Sequence, residues 1–226
     1  MDYFSAETLR TIILFVPILI LSLSIHEAAH AWTADKLGDS TSRYLGRLTL
    51  NPLAHISWIG TVLFPIVALL THAPLFGWAN PVPVNTRNLR DPEKGMAIVA
   101  LAGPVSNIIL TFFFAMLFSI FYHWQEPVFQ VLGKGNFGAA IQMFSLAIEL
   151  NLFLAFFNLI PIPPLDGSRI VAGYGPRSWA IFLQKYGFQL QILLLVAFLF
   201  GYIRFLAAPV MLVKIWIFEL FGVPTA

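Results

Sequence analysis

The sequence contains no cysteine and few charged residues, and both absences limit what the protein can be. Without cysteine among its 226 residues, disulfide scaffolds and thiolate metal sites are excluded. Charged residues make up 11% of the chain, less than half of the roughly one quarter with which soluble domains cover their surface. Much of the surface must therefore face lipid, and the sequence predicts a membrane protein.

Two further patterns are missing: a basic patch and a signal peptide. The chain has 13 Lys and Arg against 11 Asp and Glu, and no basic run carries interleaved aromatic residues. Nucleic acid is therefore excluded as a partner. Asp2 and Glu7 lie where a signal peptide would carry positive charge. We therefore expect the first apolar stretch to remain as a membrane span.

Apolar stretches near the length of a membrane span recur along the chain. A span needs about 20 apolar residues. The candidates are 9–34, 94–122, 138–160, 186–202 and 205–220. The stretch 56–70 is shorter, and Gly60 and Pro65 interrupt it. We predict an all-α polytopic membrane protein with about five transmembrane helices, a re-entrant segment and short extended elements.

Other patterns set the expected boundaries. Asp91 followed by Pro92 is typical of a helix start, and the prolines within 77–85 favour extended backbone. A polar connection is expected between the spans at 94–122 and 138–160. No repeat or second domain is recognisable, so 1–226 is interpreted as one domain. Its core would cover about 9–170, followed by a C-terminal helical pair at about 186–221.

The most specific motif is HEAAH at His26–His30, inside the first predicted span. Histidines at i and i+4 lie about 6 Å apart on one helix face, so both imidazoles can bind one metal ion. Glu27 stands beside them and can take a proton from a metal-bound water. Inserting a carboxylate in a span costs roughly 2.5–3.5 kcal/mol. A bound cation accounts for this cost better than the alternative, two core histidines with a neutral Glu27.

A zinc hydrolase needs a third protein ligand and an open position for water. Asp166 is the preferred third ligand, because it lies in a Pro-rich turn after a span and Gly167 allows close backbone approach. Its alternative role is a helix N-cap. Glu149 and His55 are further candidates. Glu149 could instead pair with Asn151 or a neighbouring helix, and His55 could be an interfacial histidine.

Three asparagines lie in the predicted spans. Asn158 precedes Asp166 by eight residues, and an amide donor there could stabilise the oxyanion that forms when water attacks a carbonyl. We therefore predict a catalytic role for Asn158. Asn151 shares its helix face, but interhelical hydrogen bonding is the better interpretation. Asn107 follows small residues around Gly103 that favour close helix packing, and its role is open.

These motifs resemble the site-2 protease family of intramembrane zinc metalloproteases, over about residues 22–170. The matching segments are His26–His30, Gly103–Asn107 (GPVSN) and Asn158–Gly167 (NLIPIPPLDG). Asn51–His55 (NPLAH) and Asn80–Asn85 (NPVPVN) are similar to the small bacterial branch, which has no inserted PDZ module.

The resemblance implies one zinc ion per chain, bound by His26, His30 and Asp166, with Glu27 activating water and Asn158 assisting. It also implies a membrane-protein or transmembrane-peptide substrate, whose helix enters laterally from the bilayer and unwinds before cleavage. The expected location is the bacterial cell (inner) membrane.

A shared metal ion constrains the topology. The histidines lie near the end of the first span and Asp166 lies just past a later one, so those two ends must face the same side. The spans at 94–122 and 138–160 supply the even number of crossings that this requires. The apolar piece 56–70 must then enter and return beside the extended segment 77–85.

The distribution of positive charge favours the same topology. Nine Lys and Arg lie on the zinc side and three on the other, so the zinc end should face the cytoplasm and the N-terminus the outside. The nine are Lys36, Arg43, Arg47, Arg87, Arg90, Lys94, Arg169, Arg177 and Lys185, against Arg10, Lys134 and Arg204. Lys214 lies within the last span, where it could pair with Glu219 or reach toward the interface.

The sequence thus predicts metal-assisted hydrolysis of peptide bonds in or next to transmembrane segments. Glu27 would pass the proton of water to the leaving amine. The Asn80–Asn85 segment could bind unwound substrate as an added strand. The main alternative is a zinc or proton transporter in which the same His/carboxylate cluster forms a relay. A silent binding scaffold is disfavoured, because it has no need of Glu27.

Overall fold

Eight α-helices succeed one another in the described residues of the computed structural model, which are 6–71 and 79–224. They are α1 (Ala6–Lys36), α2 (Thr41–Tyr44), α3 (Phe64–Thr71), α4 (Pro92–His123), α5 (Gln125–Asn158), α6 (Asp166–Tyr174), α7 (Arg177–Leu199) and α8 (Ala207–Leu220). The described residues also contain short 3-10 helices at Pro52–Ala54, Thr86–Asn88 and Tyr202–Leu206, and a π-helix at Trp58–Leu63.

Four of these helices are long and apolar enough to cross a membrane. They contain the candidate spans Leu9–Lys36, Pro92–His123, Gln125–Asn158 and Arg177–Phe198. The fifth predicted span corresponds to α8, which has 14 residues and is therefore shorter than the about 20 that a straight span needs. The all-α polytopic fold class is confirmed.

The predicted start of α4 is confirmed, whereas the predicted connection after it is wrong in detail. The Asp91 carboxylate accepts a hydrogen bond from the Lys94 N–H at 3.0 Å, and Pro92 is the first helical residue. Polar residues after α4 do not form a loop; they continue as helix from Gln125. That helix is broken at Gly133, where φ is +75°, a conformation that glycine adopts without steric cost.

The hydrophobic core lies where α1, α4, α5 and α8 pack together. Its buried side chains include Phe15, Phe114, Ile148 and Ile217. On the outer surface large apolar side chains are exposed, for example Ile13, Ile109 and Phe188. Such a surface is unfavourable in water but suits lipid. The helices thus carry apolar side chains both toward their common core and on the outer surface.

Residue 56 and residue 79 lie side by side, although 22 residues separate them in the sequence. Ile56 and Ala79 form an isolated antiparallel bridge. The N–H of Asn80 donates to the His55 carbonyl at 2.8 Å, and its side-chain amide donates to the Ile56 carbonyl at 3.0 Å. The start of the predicted re-entrant segment therefore pairs with the predicted extended segment 77–85. Residues 77 and 78, the first of the predicted extended stretch, lie outside the described residues.

Residues 80–88 are held against the end of α1 by the buried Asp39. Its carboxylate accepts from the Asn85 N–H at 2.7 Å and from the Asn88 side-chain amide at 2.9 Å. Burial alone would raise the pKa of Asp39, but its hydrogen bonds, above all from Thr41 and Asn88, outweigh burial and lower that pKa. An ionised Asp39 therefore fixes this segment beside α1.

Candidate metal centre

Three side chains from two distant parts of the chain converge on one point. The Nε2 atoms of His26 and His30, on α1, lie 3.2 Å and 3.4 Å from Oδ2 of Asp166, the first residue of α6. All three residues are buried. The structure thus brings together the two histidines of the motif and the carboxylate selected from the sequence as the third ligand.

The residues present fit a metal ion. Ligand atoms bound at about 2.0–2.2 Å to a tetrahedral zinc lie about 3.3–3.6 Å apart, close to the distances between Nε2 and Oδ2. Asp166 Oδ2 is buried and lacks a hydrogen-bond partner within the described chain, so a cation would satisfy it.

Hydrogen bonds at the opposite ring nitrogens orient both imidazoles. Nδ1 of His26 lies 2.6 Å from Oδ1 of Asn107, and Nδ1 of His30 lies 2.7 Å from the Val99 carbonyl. A carbonyl oxygen only accepts, so each Nδ1 donates and each Nε2 keeps its lone pair for a metal. Both acceptors belong to α4, which therefore positions the two histidines of α1.

Gly103 allows α4 to come this close to the histidines. A Cβ atom at residue 103 would lie 2.5 Å from Nε2 of His26 and 2.6 Å from Cε1 of His30. No real Cβ atom makes contacts that short. The small residues around Gly103 were interpreted from the sequence as helix-packing positions, and at Gly103 the packing surface is the metal site itself.

Gly167 has a similar role on the other side of the site. A Cβ atom there would lie 2.2 Å from the Leu159 carbonyl oxygen and 2.5 Å from that of Ile160. The start of α6 therefore packs directly on the turn that ends α5, as expected from the sequence. Asp166 is the first residue of α6 and Leu165 occupies the N-cap position, so the alternative interpretation of Asp166 as the N-cap does not describe this helix.

Glu27 lies between the two histidines in the sequence and contacts the extended segment. Its Oε2 accepts a hydrogen bond from the main-chain N–H of Val82 at 2.8 Å. Glu27 is only partly buried, in contrast to its neighbour His26. The carboxylate therefore lies between the metal-ligand cluster and the 80–85 segment.

The remaining candidate ligands lie in other environments. Glu149 pairs with Lys214 of α8, which also donates to Ser145 at 3.0 Å; the suggested pairing of Lys214 with Glu219 is therefore wrong. Nε2 of His55 lies 2.8 Å from the Thr49 carbonyl. Neither Glu149 nor His55 belongs to the cluster of potential metal ligands found among the described residues.

Asn158 is the last residue of α5, directly before the turn that leads to Asp166. Its side-chain amide donates to the Leu154 carbonyl, at 3.0 Å, within its own helix. The predicted catalytic role of Asn158 stays a prediction.

Sequence reasoning did not find the hydrogen-bonded partners of His26. Asn107, whose role was open, contacts His26 directly, and Asn151, interpreted as an interhelical residue, bonds to Asn107 at 2.8 Å. The available signal was the presence of three asparagines in predicted membrane spans of a chain that also carries the HEAAH motif. Sequence spacing alone does not show which faces of the helices meet, so it could not identify the asparagine that contacts His26.

A membrane-embedded fold and a His/His/Asp cluster define a class of membrane metalloproteins. The model of "Peptidase family M50" matches residues 14–198. The chain therefore belongs to this family of metalloproteases, and the resemblance to the site-2 proteases is confirmed.

Relatives extend over most of the chain. "Putative zinc metalloprotease YwhC" of Bacillus subtilis (strain 168) is 38% identical over 206 residues, 90% of this chain and 89% of that protein. "Putative zinc metalloprotease Rip2" of Mycolicibacterium smegmatis is 28% identical over 204 residues, 86% of this chain and 73% of that protein. No solved structure matches the chain significantly.

Proposed function

We propose that the protein is an intramembrane zinc metalloprotease that hydrolyses peptide bonds in or next to the transmembrane segments of membrane proteins. The observation that carries this proposal is the convergence of His26, His30 and Asp166 on one buried point, with Glu27 beside the histidines. Family membership and the names of the relatives support the same chemistry.

Glu27 is the proposed general base. A zinc ion held by His26, His30 and Asp166 would lower the pKa of water toward about 7 and polarise the scissile carbonyl. Glu27 takes the proton of the attacking water and passes it to the leaving amine. The Val82 N–H bond to Oε2 holds the carboxylate in place beside the 80–85 segment.

Asn158 is the proposed oxyanion donor. Its amide must first leave the Leu154 carbonyl that it binds at 3.0 Å. This rearrangement costs one intrahelical side-chain bond, which contributes only about 0.5–1.5 kcal/mol net. A developing oxyanion is a stronger acceptor than a neutral carbonyl, so the rotation is favourable once the tetrahedral state forms.

We further propose that unwound substrate binds along residues 82–84. The carbonyls of Pro81 and Pro83 accept hydrogen bonds from Arg47 at 3.2 Å and Ser42 at 2.6 Å, which fixes the segment to the protein. The Val84 N–H makes no hydrogen bond with the described residues. Substrate main chain paired there would lie beside Glu27, because the Val82 N–H contacts that carboxylate.

The location and orientation are also proposals. The excess of Lys and Arg on the zinc side favours a cytoplasmic orientation of that side, and the match to a bacterial relative supports a bacterial cell membrane. Substrate would then reach the site from the bilayer and water from the cytoplasm.

Glu27→Gln tests the function. In proteoliposomes containing a transmembrane substrate, this variant should retain zinc but lose cleavage by about 10²–10⁴-fold, the usual contribution of a general base. Glu126→Gln, at an exposed position in the first turn of α5, is the control. Cleavage by Glu27→Gln at the wild-type rate contradicts the proposal. The alternative function, a zinc or proton transporter, is indicated by a different result. In that case the wild type cuts no peptide, and Glu27→Gln changes the flux of zinc or protons across the membrane.

Cleavage-site mapping tests the intramembrane assignment. Mass spectrometry of products from one sequence, presented as a membrane-tethered and as a soluble substrate, should show cuts in or beside the transmembrane segment of the tethered form. Equal cleavage of the soluble form would instead indicate a membrane-anchored protease that acts on soluble loops.

A further inference from the structure

A chain of buried polar side chains leads from His26 across three helices. Nδ1 of His26 on α1 bonds to Oδ1 of Asn107 on α4, and Nδ2 of Asn107 donates to Oδ1 of Asn151 on α5 at 2.8 Å. Nδ2 of Asn151 donates to Ser22, back on α1, at 3.0 Å and to the carbonyl of Ala147 at 2.8 Å. Both asparagines and Ser22 have no exposed surface.

The main-chain carbonyl of Ala147, at the end of this series of hydrogen bonds, fixes which group donates in each of them. The Ala147 carbonyl can only accept, so the group of Asn151 that faces it must be the NH2. Oδ1 of Asn151 then faces Asn107, whose own NH2 must donate to it. This leaves Oδ1 of Asn107 facing His26, and Nδ1 of His26 must carry the hydrogen.

We propose that Asn107 and Asn151 are positioning residues that fix the Nδ1–H tautomer and the ring orientation of His26, so that the lone pair of Nε2 faces Asp166. Asn107 holds the ring directly, and Asn151 prevents the Asn107 amide from rotating. His30 needs no such pair, because a main-chain carbonyl, that of Val99, accepts from its Nδ1.

Burial explains why a relay of two amides is used. An asparagine alone could turn either its oxygen or its NH2 toward the ring, and the two orientations would select opposite tautomers. A buried amide without hydrogen-bond partners is destabilising, so the complete set of hydrogen bonds, and with it one tautomer of His26, is preferred. Partners of this kind affect metal affinity as well as orientation.

This inference rests on the proposed zinc site, and zinc affinity tests the two separately. The protein is purified in detergent, and its dissociation constant for zinc is measured by competition with a chelator. Asn107→Leu removes the acceptor for Nδ1, Asn107→Asp retains it, and Thr111→Val is the matched control. Thr111 is buried one turn further along α4, and its hydroxyl donates to the main-chain carbonyl of Asn107 at 3.0 Å.

Asn107→Leu should raise the zinc dissociation constant by about 10–100-fold, whereas Asn107→Asp and Thr111→Val should stay near the wild type. Asn151→Leu, which frees the Asn107 amide to rotate, should weaken zinc binding less than Asn107→Leu does. The absorption spectrum of the Co²⁺-loaded protein should change for Asn107→Leu but not for Asn107→Asp, since only the former loses the orientation of the ring.

Wild-type zinc affinity in an Asn107→Leu variant that melts normally without metal would overturn the inference. If Asn107→Leu does not fold, Asn107→Asp decides alone: it loses the bond to Asn151 but keeps an acceptor for His26, so retained zinc affinity supports the inference and lost affinity refutes it. A wild-type protein that binds no zinc would instead refute the proposed function.

Discussion

Gly103 lies where α4 approaches the two histidines most closely. Gly103→Ala should weaken zinc binding by about 10-fold or more, because the added Cβ would lie 2.5 Å from His26 and must displace its ring. Gly95→Ala is the control on the same helix, since its Cβ would meet Leu89 at 3.3 Å, away from the site. Zinc titration of both variants checks the prediction, and equal affinities would contradict it.

Asp39 should make the folded state sensitive to acid. Its pKa is lowered in the folded protein, so its stabilisation is complete above the pKa of an unfolded aspartate, about 3.9, and is lost as pH falls through the lower folded value. Asp39→Asn does not titrate. Its melting temperature should be below that of the wild type at pH 7, and the difference should shrink below about pH 4. A difference independent of pH would contradict this assignment.

At the scale of residues, the sequence predicted that His26, His30 and Asp166 lie together. It did not predict the hydrogen-bond acceptors that orient the two histidines. The i, i+4 spacing of His26 and His30 and the Pro-rich turn before Asp166 are local patterns, so they are readable without coordinates. The acceptors Asn107 and Val99 lie about 70–80 residues from the histidines along the chain. Their contacts depend on how α4 rotates against α1, which no local pattern records.

At the scale of elements, the 82–84 segment is proposed to align the substrate. Replacing residues 82–84 with Gly-Ser-Gly should lower cleavage by about 10-fold or more, because misplacing a bound substrate by a small distance is costly, and it should leave zinc content unchanged. The same replacement at 134–136, an exposed stretch after the break in α5, is the control. Unchanged cleavage in the 82–84 variant would remove strand addition from the mechanism.

The pair of Lys214 and Glu149 joins α8 to α5. Lys214→Met and Glu149→Gln should each destabilise the protein, and the double variant should lose less stability than the two singles together. A coupling free energy of about 0.5–3 kcal/mol is expected from a double-mutant cycle of thermal unfolding in detergent. Additive effects would show that the two side chains do not interact.

Element boundaries were predicted well where a strong local signal exists and poorly where it does not. Asp91 and Pro92 define the start of α4 in sequence and structure alike. The start of α5 was placed at residue 138, because Lys134, Gly135 and Asn136 are typical of a loop, yet these residues continue the helix beyond Gly133. Local preferences of this kind are too weak to determine where a helix begins.

At the scale of the whole molecule, the proposed topology places the 80–88 segment and the 134–136 stretch on opposite sides of the membrane. The absence of cysteine allows single-cysteine variants without background. Thr86→Cys should react with an impermeant maleimide from the cytoplasmic side, and Gly135→Cys, where a Cβ meets nothing within 4 Å, from the outside. Inverted and right-side-out vesicles supply the two exposures, and the reverse pattern would contradict the topology.

An anomalous diffraction map recorded at the zinc edge, from crystals of the protein purified without added metal, tests the central claim most directly. We predict one strong peak per chain, about 2.0–2.2 Å from Nε2 of His26, Nε2 of His30 and Oδ2 of Asp166. A peak at other residues, or none in a preparation that cleaves its substrate, would contradict this account.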